Sequence, residues 1–292
     1  MSRKMCGNHL HSIMPKIWND PNKGIQKILI DFQFSSIIKA SEISRCLINV
    51  SAIEDLDGRE SEILGRGERQ EIWIELGTAK TPIDCYIEIL LREMLTGEKS
   101  RCFIATKSGQ KVSFTLKLLR IDFRGYLFEL GAQEIVNLAQ KYREIGVEMF
   151  KKYPVFAQDY FNRAAKCVLS LGPLQPENQE PTLDGLSSME LERLLEGIYS
   201  NISACLLKQN RLEEVLYLME FTKRNQDVPD KAIYRKALAH HGLKQFEEAK
   251  NELQRLNYQN NKELLALWNK NQAEWRIEED KYAKMVQKMF TH

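Results

Sequence analysis

Residues 199–222, YSNISACLLKQNRLEEVLYLMEFT, align without a gap with residues 233–256, IYRKALAHHGLKQFEEAKNELQRL, which follow 34 positions later. In both segments the apolar and small residues recur at intervals of three and four, the spacing of one face of an α-helix. Matching positions hold residues of similar kind: Ser203 and Ala237, Val215 and Ala249, and Met219 and Leu253. The repeat therefore predicts two successive helical hairpins that bury their apolar faces against each other.

A less regular unit precedes these two hairpins. Small and aromatic residues approximate the repeat pattern at five positions: Gly146, Phe150, Ala157, Phe161 and Ala164. The extra length before the next unit is explained by residues 172–185, which contain three prolines and are expected to form a solvent loop. A period of about 34 residues in helical sequence is that of the tetratricopeptide repeat. We therefore expect residues 124–292 to form an all-α superhelix of three such repeats, covered by a terminal helix from Asn261 to Phe290.

The N-terminal part of the chain has the period of β-strands instead. Across residues 23–123 short apolar runs alternate with polar residues, most clearly in KVSFTLKL at residues 111–118. One helix interrupts the strands, because apolar residues recur at three and four positions over residues 83–94. We expect an α+β domain over residues 23–123, in which an antiparallel sheet wraps on a single helix, preceded by a tail at residues 1–22.

Composition excludes several classes of function. The 292-residue chain has 42 Lys and Arg against 40 Asp and Glu, a net charge of +2, so no large field of one sign is available to attract nucleic acid or an anionic membrane. No apolar run approaches the ~20 residues that span a bilayer. Six cysteines without a CxxC pair fit reduced thiols, and so a protein of the cytosol or nucleus.

Candidate catalytic and metal-binding residues are scarce. The five histidines lie at positions 9, 11, 240, 241 and 292, so most of the chain lacks the commonest general base. Cys6, His9 and His11 are expected to belong to a flexible tail and not to a metal site. We therefore expect neither a metal nor a cofactor.

Short motifs in both parts of the chain carry a resemblance to a known family. The strand-rich part contains three of them: IELG at residues 74–77, IEILLREM at 87–94 and GEKS at 97–100. These resemble the strand, helix and turn of the FK506-binding (FKBP) immunophilin domain, and FTLKLL at 114–119 is similar to its closing strand. The helical part, with KYREIG at 141–146 and KAIYR at 231–235, resembles the three-repeat region of the large immunophilins. The resemblance covers roughly residues 23–292 and is nearest to the soluble FK506-binding protein-like branch, with the germline small-RNA co-chaperone branch as the alternative.

The resemblance also locates a degenerate catalytic pocket. FKBP domains that isomerise prolyl bonds take the proline ring into an apolar pocket walled by aromatic side chains. Position by position, that pocket falls on five residues, none of them aromatic: Ser51, Ser61, Glu62, Ile72 and Ile87. Only seven residues separate Ile104 from Val112, which leaves no room for the family's long loop. The resemblance therefore implies a domain that neither isomerises prolyl bonds nor binds FK506.

The groove of the repeats in this family resembles a two-carboxylate clamp, which grips the Glu-Glu-Val-Asp tail of a heat-shock chaperone. The resemblance places matching residues at Asn201, Lys231 and Arg235, while Arg143 replaces a lysine. Val147 stands where an asparagine donor is lost. The clamp is thus implied with one degenerate position.

The residues themselves point to an anion site at the same place. Lys231 and Arg235 are four residues apart on one helix face, and Asn201 lies one repeat before Arg235, so the three should line one concave surface. Cations and an amide donor clustered there favour an anion. The competing interpretation is a solvated helix face whose charges pair with neighbouring acids such as Asp230.

We expect the protein to be a co-chaperone adaptor. Its repeats would bind the tail of a cytosolic heat-shock chaperone, of ninety rather than seventy kilodaltons, while the non-catalytic domain or the terminal helix contacts an unknown client protein. Near the end of that helix, Met285, Met289 and Phe290 are a candidate partner-binding surface. There are two alternatives: a repeat scaffold that has lost the chaperone, for which Val147 is the best argument, and, with least support, an active peptidyl-prolyl isomerase.

Overall fold

The computed structural model describes residues 16–33, 35–67, 71–105, 111–172, 186–221, 230–256, 259 and 261–290. The chain divides into two compact units, Met1–Leu138 and Ala139–His292. Cys6, His9 and His11 lie outside the described residues, as does most of the expected proline-rich loop. The expectations about these two segments stay predictions.

The first unit contains a six-stranded antiparallel sheet in the order β1-β2-β5-β6-β3-β4. The strands are β1 Ile17–Asp20, β2 Ile25–Phe32, β3 Arg45–Glu54, β4 Glu71–Glu75, β5 Glu98–Ala105 and β6 Lys111–Asp122. Helix α1, Pro82–Arg92, lies between β4 and β5, and a 3₁₀ turn at Leu64–Arg66 precedes β4. The expected antiparallel sheet with its helix is confirmed.

The first strand corrects one expectation about the N-terminus. Residues 17–20 belong to the sheet and not to the expected tail at residues 1–22, because β1 pairs along its whole length with β2. Four residues are too few to show the period of a strand. Only the pairing with β2 defines β1 as part of the sheet.

The sheet packs on α1 because each buries an apolar face. The apolar residues that alternate along β6 are completely buried: Val112, Phe114, Leu116 and Leu118. The stripe on α1 joins the same core: Ile83, Ile87, Leu90 and Leu91. The helix begins where the sequence signals it, since the Thr81 hydroxyl accepts from the Asp84 N–H at 3.3 Å and Pro82 occupies the first turn.

A buried ion pair holds the GEKS turn that opens β5. Lys27 Nζ lies 2.5 Å from Glu98 Oε1, and both side chains are almost completely buried. Glu98 also accepts from the Ser100 hydroxyl at 2.6 Å and from the Leu95 N–H at 3.2 Å. A buried carboxylate needs several such partners, so the network ties the turn to β2.

Gly97, in the same turn, cannot carry a side chain. Its φ is 92°, in the left-handed region, and a Cβ atom would lie 1.8 Å from the Gln33 carbonyl oxygen. With any other residue type at position 97, the backbone of the turn could not approach the end of β2 this closely.

Seven α-helices follow among the described residues. They are α2 Ala132–Phe150, α3 Pro154–Ser170, α4 Ser188–Lys208, α5 Leu212–Glu220, α6 Asp230–Gly242, α7 Phe246–Gln254 and α8 Lys262–Met289. They form three hairpins, α2–α3, α4–α5 and α6–α7, followed by the longer α8. The expected series of three helical repeats with a terminal helix is confirmed.

Small residues let the helices of the second unit approach each other. Ala157, Ala164, Ala237 and Ala249 are completely buried. At Gly146 a Cβ atom would lie 2.6 Å from the Phe161 ring, so glycine permits the approach of α3 to α2. Helix α4 contacts α6 as well as its own partner α5, which places the first helices of two successive hairpins side by side.

The thiols in the described part of the chain lie in its interior, and that part holds no cluster of metal ligands. The five cysteines of the described residues form no disulfide and are buried. Burial raises the pKa of Cys46, Cys102 and Cys205 to about 12, so these thiols stay protonated. No group of three or more His, Cys, Asp or Glu side chains within this part of the chain could hold a metal ion. No described helix has the length and apolarity needed to cross a membrane.

Candidate functional site

The five positions of the degenerate pocket lie on different elements of the first unit. Ser51 is half-buried on β3, and Ile72 is half-buried on β4. Ile87 on α1 is completely buried, and Ile72 packs against the same core. Ser61 and Glu62 lie in the turn before Leu64–Arg66. Two of the five are therefore core residues, and two belong to a turn.

Asp84, a residue that sequence reasoning did not single out, fastens this turn to α1. Its buried carboxylate accepts from the Ser61 hydroxyl at 2.5 Å, from the Glu62 N–H at 2.8 Å and from the Ile63 N–H at 3.3 Å. The pattern TPID at residues 81–84 marks a helix start. Nothing in that pattern points to a turn that precedes Asp84 by 23 residues.

The connection between β5 and β6 is short. Ala105 pairs with Lys111, and Ile104 pairs with Val112, in antiparallel register. Residues 106–110, which lie outside the described residues, join the two strands. Since the pairing continues to Ala105, the connection cannot contain the long loop of the catalytic family members.

Two of the clamp positions lie on α2. Arg143 is exposed, and Val147, one turn later, is 56% exposed. Within the described chain the guanidinium of Arg143 forms no ion pair or hydrogen bond. This face of α2 therefore offers a ligand one cation and one apolar side chain that cannot donate a hydrogen bond.

Arg235 on α6 reaches across to α4. Its Nη1 donates to both the carbonyl oxygen and the hydroxyl of Ser200. Ser200 directly precedes Asn201, so Asn201 and Arg235 lie on adjoining parts of two first helices. Sequence reasoning missed Ser200, because it lies 35 residues before Arg235 and a serine on a helix carries no signal of its own.

The guanidinium of Arg235 is half-buried, and no carboxylate of the described residues neutralises it. Burial lowers its pKa from the usual arginine value. Its hydrogen-bond partners in the described residues are the two neutral oxygens of Ser200, and no acidic side chain of that set contacts it. A desolvated charge is stable when it is paired, so this environment favours a bound anion.

Lys231 lies one turn before Arg235 on the same helix and is exposed. Across the ranges that the structure describes, its ammonium forms no ion pair, including none with Asp230. Asn201 is half-buried and its side chain likewise has no hydrogen bond there. An ammonium and an amide are thus available to a ligand beside Arg235.

The long helix α8 is attached to the last hairpin by its first half. Leu267 and Asn271 are buried, and Asn271 Nδ2 donates to the Phe246 carbonyl oxygen at 2.8 Å. Its Oδ1 lies 3.0 Å from His241 Nδ1. Farther along, five apolar or aromatic side chains are exposed: Ile277, Tyr282, Met285, Met289 and Phe290. The candidate partner-binding surface is therefore open to solvent.

The sheet with its helix, followed by three helical hairpins, defines the class of the protein: a divergent FKBP-like domain joined to tetratricopeptide repeats. A family model described as BDBT FKBP like N-terminal matches residues 18–123, and one described as Bride of doubletime-like, TPR domain, matches residues 131–217. The chain belongs to the Bride of doubletime-like family.

One relative and one solved structure show how far the similarity extends. Protein Bride of doubletime of Drosophila melanogaster is 35% identical over 280 residues, which cover 94% of this chain and 97% of that protein. The crystal structure of residues 1–211 of CG17282 is similar with a TM-score of 0.61 and 36% identity, covering 68% of this chain and 96% of that one. The expected immunophilin-like architecture is confirmed.

Proposed function

We propose that the protein is a non-enzymatic adaptor whose repeats bind an acidic C-terminal peptide. The proposed peptide is the Glu-Glu-Val-Asp tail of a cytosolic or nuclear heat-shock chaperone, of ninety rather than seventy kilodaltons. The first unit, or the exposed end of α8, contacts a client protein at the same time. Binding both raises the local concentration of one near the other.

The observation that carries the proposal is the guanidinium of Arg235, which has no acidic partner in the described part of the chain, on the same helix as the exposed ammonium of Lys231. Each charge-assisted hydrogen bond from such a group to a carboxylate contributes about 1.5–3 kcal/mol. Asn201 adds an amide donor, and Arg143 adds a cation on α2. A peptide that ends in two carboxylates matches this set of donors.

Calorimetric titration of the full chain with a Glu-Glu-Val-Asp peptide tests the proposal. Lys231→Ala should weaken binding tenfold or more, which is ~1.4 kcal/mol, and added salt should weaken wild-type binding moderately. Lys166→Ala is the matched control, because it removes an exposed lysine from α3 and leaves the groove intact. If Lys231→Ala binds as tightly as the wild type, the groove is not the site.

Arg235→Ala is a less clean test of the groove. It removes a cation but also the contact with Ser200 that joins α6 to α4. A loss of binding in that variant would therefore reflect both lost ligand recognition and altered packing of the helices.

Longer C-terminal peptides of the two chaperones, titrated against the wild type, should show tighter binding of the ninety-kilodalton tail.

The absence of isomerase activity is the second element of the proposal. The pocket positions hold no aromatic side chain, Ile87 is completely buried in the core, and Ser61 is bonded to Asp84. A proline ring therefore finds no aromatic wall at these positions. The full chain should not accelerate isomerisation of a prolyl peptide above the uncatalysed rate. An FK506-sensitive acceleration would overturn this element.

Exposure of Val147 favours a second candidate function, a scaffold for a partner other than the chaperone. Val147 is 56% exposed on α2 and offers apolar area where a donor would serve a terminal carboxylate. A missing donor to a desolvated carboxylate costs about 1–3 kcal/mol. If the protein is such a scaffold, the partner places an apolar side chain against Val147.

A further inference from the structure

One nitrogen of the Arg235 guanidinium, Nη1, is bound by helix α4. Nη1 donates to both oxygens of Ser200. Arginine presents five N–H donors in a rigid plane. Within the described residues this guanidinium forms no other hydrogen bond, so Nε and Nη2 retain three donors.

The Nε and Nη2 edge has the geometry of a carboxylate site. The parallel N–H groups of Nε and Nη2 can bind the two oxygens of one carboxylate at once. The half-buried charge has no acidic neighbour among the described side chains to compete for that edge. A lysine ammonium at the same position would keep the charge but lose the two-point geometry.

Ser200 is itself well placed to orient the arginine. It lies inside α4, so its backbone cannot shift without disturbing the helix. Its carbonyl oxygen also accepts from the Ser203 hydroxyl at 2.7 Å. The position of Nη1 is therefore set by a rigid element on the neighbouring repeat.

Resting on the proposed function, we propose that Ser200 is the positioning residue of the groove. By holding Nη1, it directs Nε and Nη2 of Arg235 side-on toward one carboxylate of the bound peptide. Ser200 does not touch the peptide. The groove then binds the two carboxylates of the peptide's terminal Asp differently: one is bound at two points by Arg235, and the other is bound by the exposed ammonium of Lys231.

Titration of full-length variants with three synthetic peptides tests this assignment. The peptides are Glu-Glu-Val-Asp, its C-terminal amide, and Glu-Glu-Val-Asn, so that each altered peptide lacks one carboxylate. Ser200→Ala should weaken binding of the first peptide about fivefold, and Ser200→Thr, which keeps the hydroxyl, should bind as the wild type does. Arg235→Lys should weaken it tenfold or more despite keeping its charge. Ser203→Ala is the matched control, since it leaves both Ser200 oxygens to Arg235.

The altered peptides separate positioning from a merely structural role. If Ser200 aims Arg235 at one carboxylate, the fivefold effect of Ser200→Ala should vanish with the peptide that lacks that carboxylate and persist with the other. Equal weakening of all three peptides, or none, overturns the assignment while the proposed function stands. Failure of the wild type to bind any of the peptides overturns the proposed function, and this assignment with it.

Discussion

Replacing Asp84 by asparagine should loosen the turn at residues 61–66 of the first unit. The carboxylate accepts three hydrogen bonds, of which those from the Ser61 hydroxyl and the Glu62 N–H are short. Asparagine has a single acceptor oxygen and an amide that cannot accept, so one of these donors loses its partner. Charge-assisted bonds contribute about 1.5–3 kcal/mol and neutral ones about 0.5–1.5 kcal/mol. Losing one bond and weakening a second therefore costs about 3 kcal/mol.

Hydrogen exchange of the full chain, followed by mass spectrometry, measures this loss where it occurs. About 3 kcal/mol is a large share of the 5–15 kcal/mol that stabilises a typical domain. Amides of residues 61–66 should therefore exchange about a hundredfold faster in Asp84→Asn than in the wild type. Amides of α6, in the second unit, serve as the internal reference and should be unchanged.

Glu62→Ala is the matched control for Asp84→Asn. It removes an exposed carboxylate from the same turn but keeps the backbone N–H that Asp84 accepts from. Its effect should stay within about 0.5 kcal/mol, as for most surface substitutions. If Asp84→Asn accelerates exchange no more than Glu62→Ala does, the carboxylate is not what secures the turn, and the reasoning is wrong.

Three further predictions concern the core and the groove. Glu98→Ala should lower the free energy of unfolding of the first unit by about 3–5 kcal/mol, because it leaves the buried ammonium of Lys27 unpaired. Urea titration checks this, and combining Lys27→Met with Glu98→Gln should recover part of the loss. Gly97→Ala should prevent stable folding of that unit, since the added methyl would lie 1.8 Å from the Gln33 carbonyl oxygen; a soluble variant with the wild-type circular dichroism spectrum would contradict this. Val147→Asn should tighten binding of the Glu-Glu-Val-Asp peptide by about 1 kcal/mol, by restoring a donor with little change in helix propensity. Unchanged or weaker binding would favour the scaffold.

The helical repeats could be predicted from the sequence because their signal is local and recurs. The offset of 34 residues and the spacing of three and four positions identify the inward-facing side of each helix without any knowledge of neighbours. Ala237, Ala249 and Leu253, singled out by that spacing, are completely buried. In the same way, the alternation of apolar and polar residues in β6 predicted which face of that strand is buried.

The candidate sites could be predicted only in part. The spacing of four residues predicted that Lys231 and Arg235 lie on one helix face. The offset of one repeat predicted that Asn201 lines the same surface. It did not indicate Ser200, whose role depends on how closely α6 approaches α4. It also did not indicate Asp84, because its partners come from a turn that is distant in sequence.

The sequence by itself determined the two kinds of secondary structure, the repeat and the residue types available at each site, since all of these follow from short-range periodicity and composition. Tertiary structure alone decided which polar groups meet. β1 joins the sheet because β2 offers it a pairing edge, Asp84 binds the turn before the 3₁₀ segment, and Arg235 bonds to Ser200. A hydrogen bond forms only when two groups approach within about 3 Å. That distance is set by the packing of whole elements, and no local pattern encodes it.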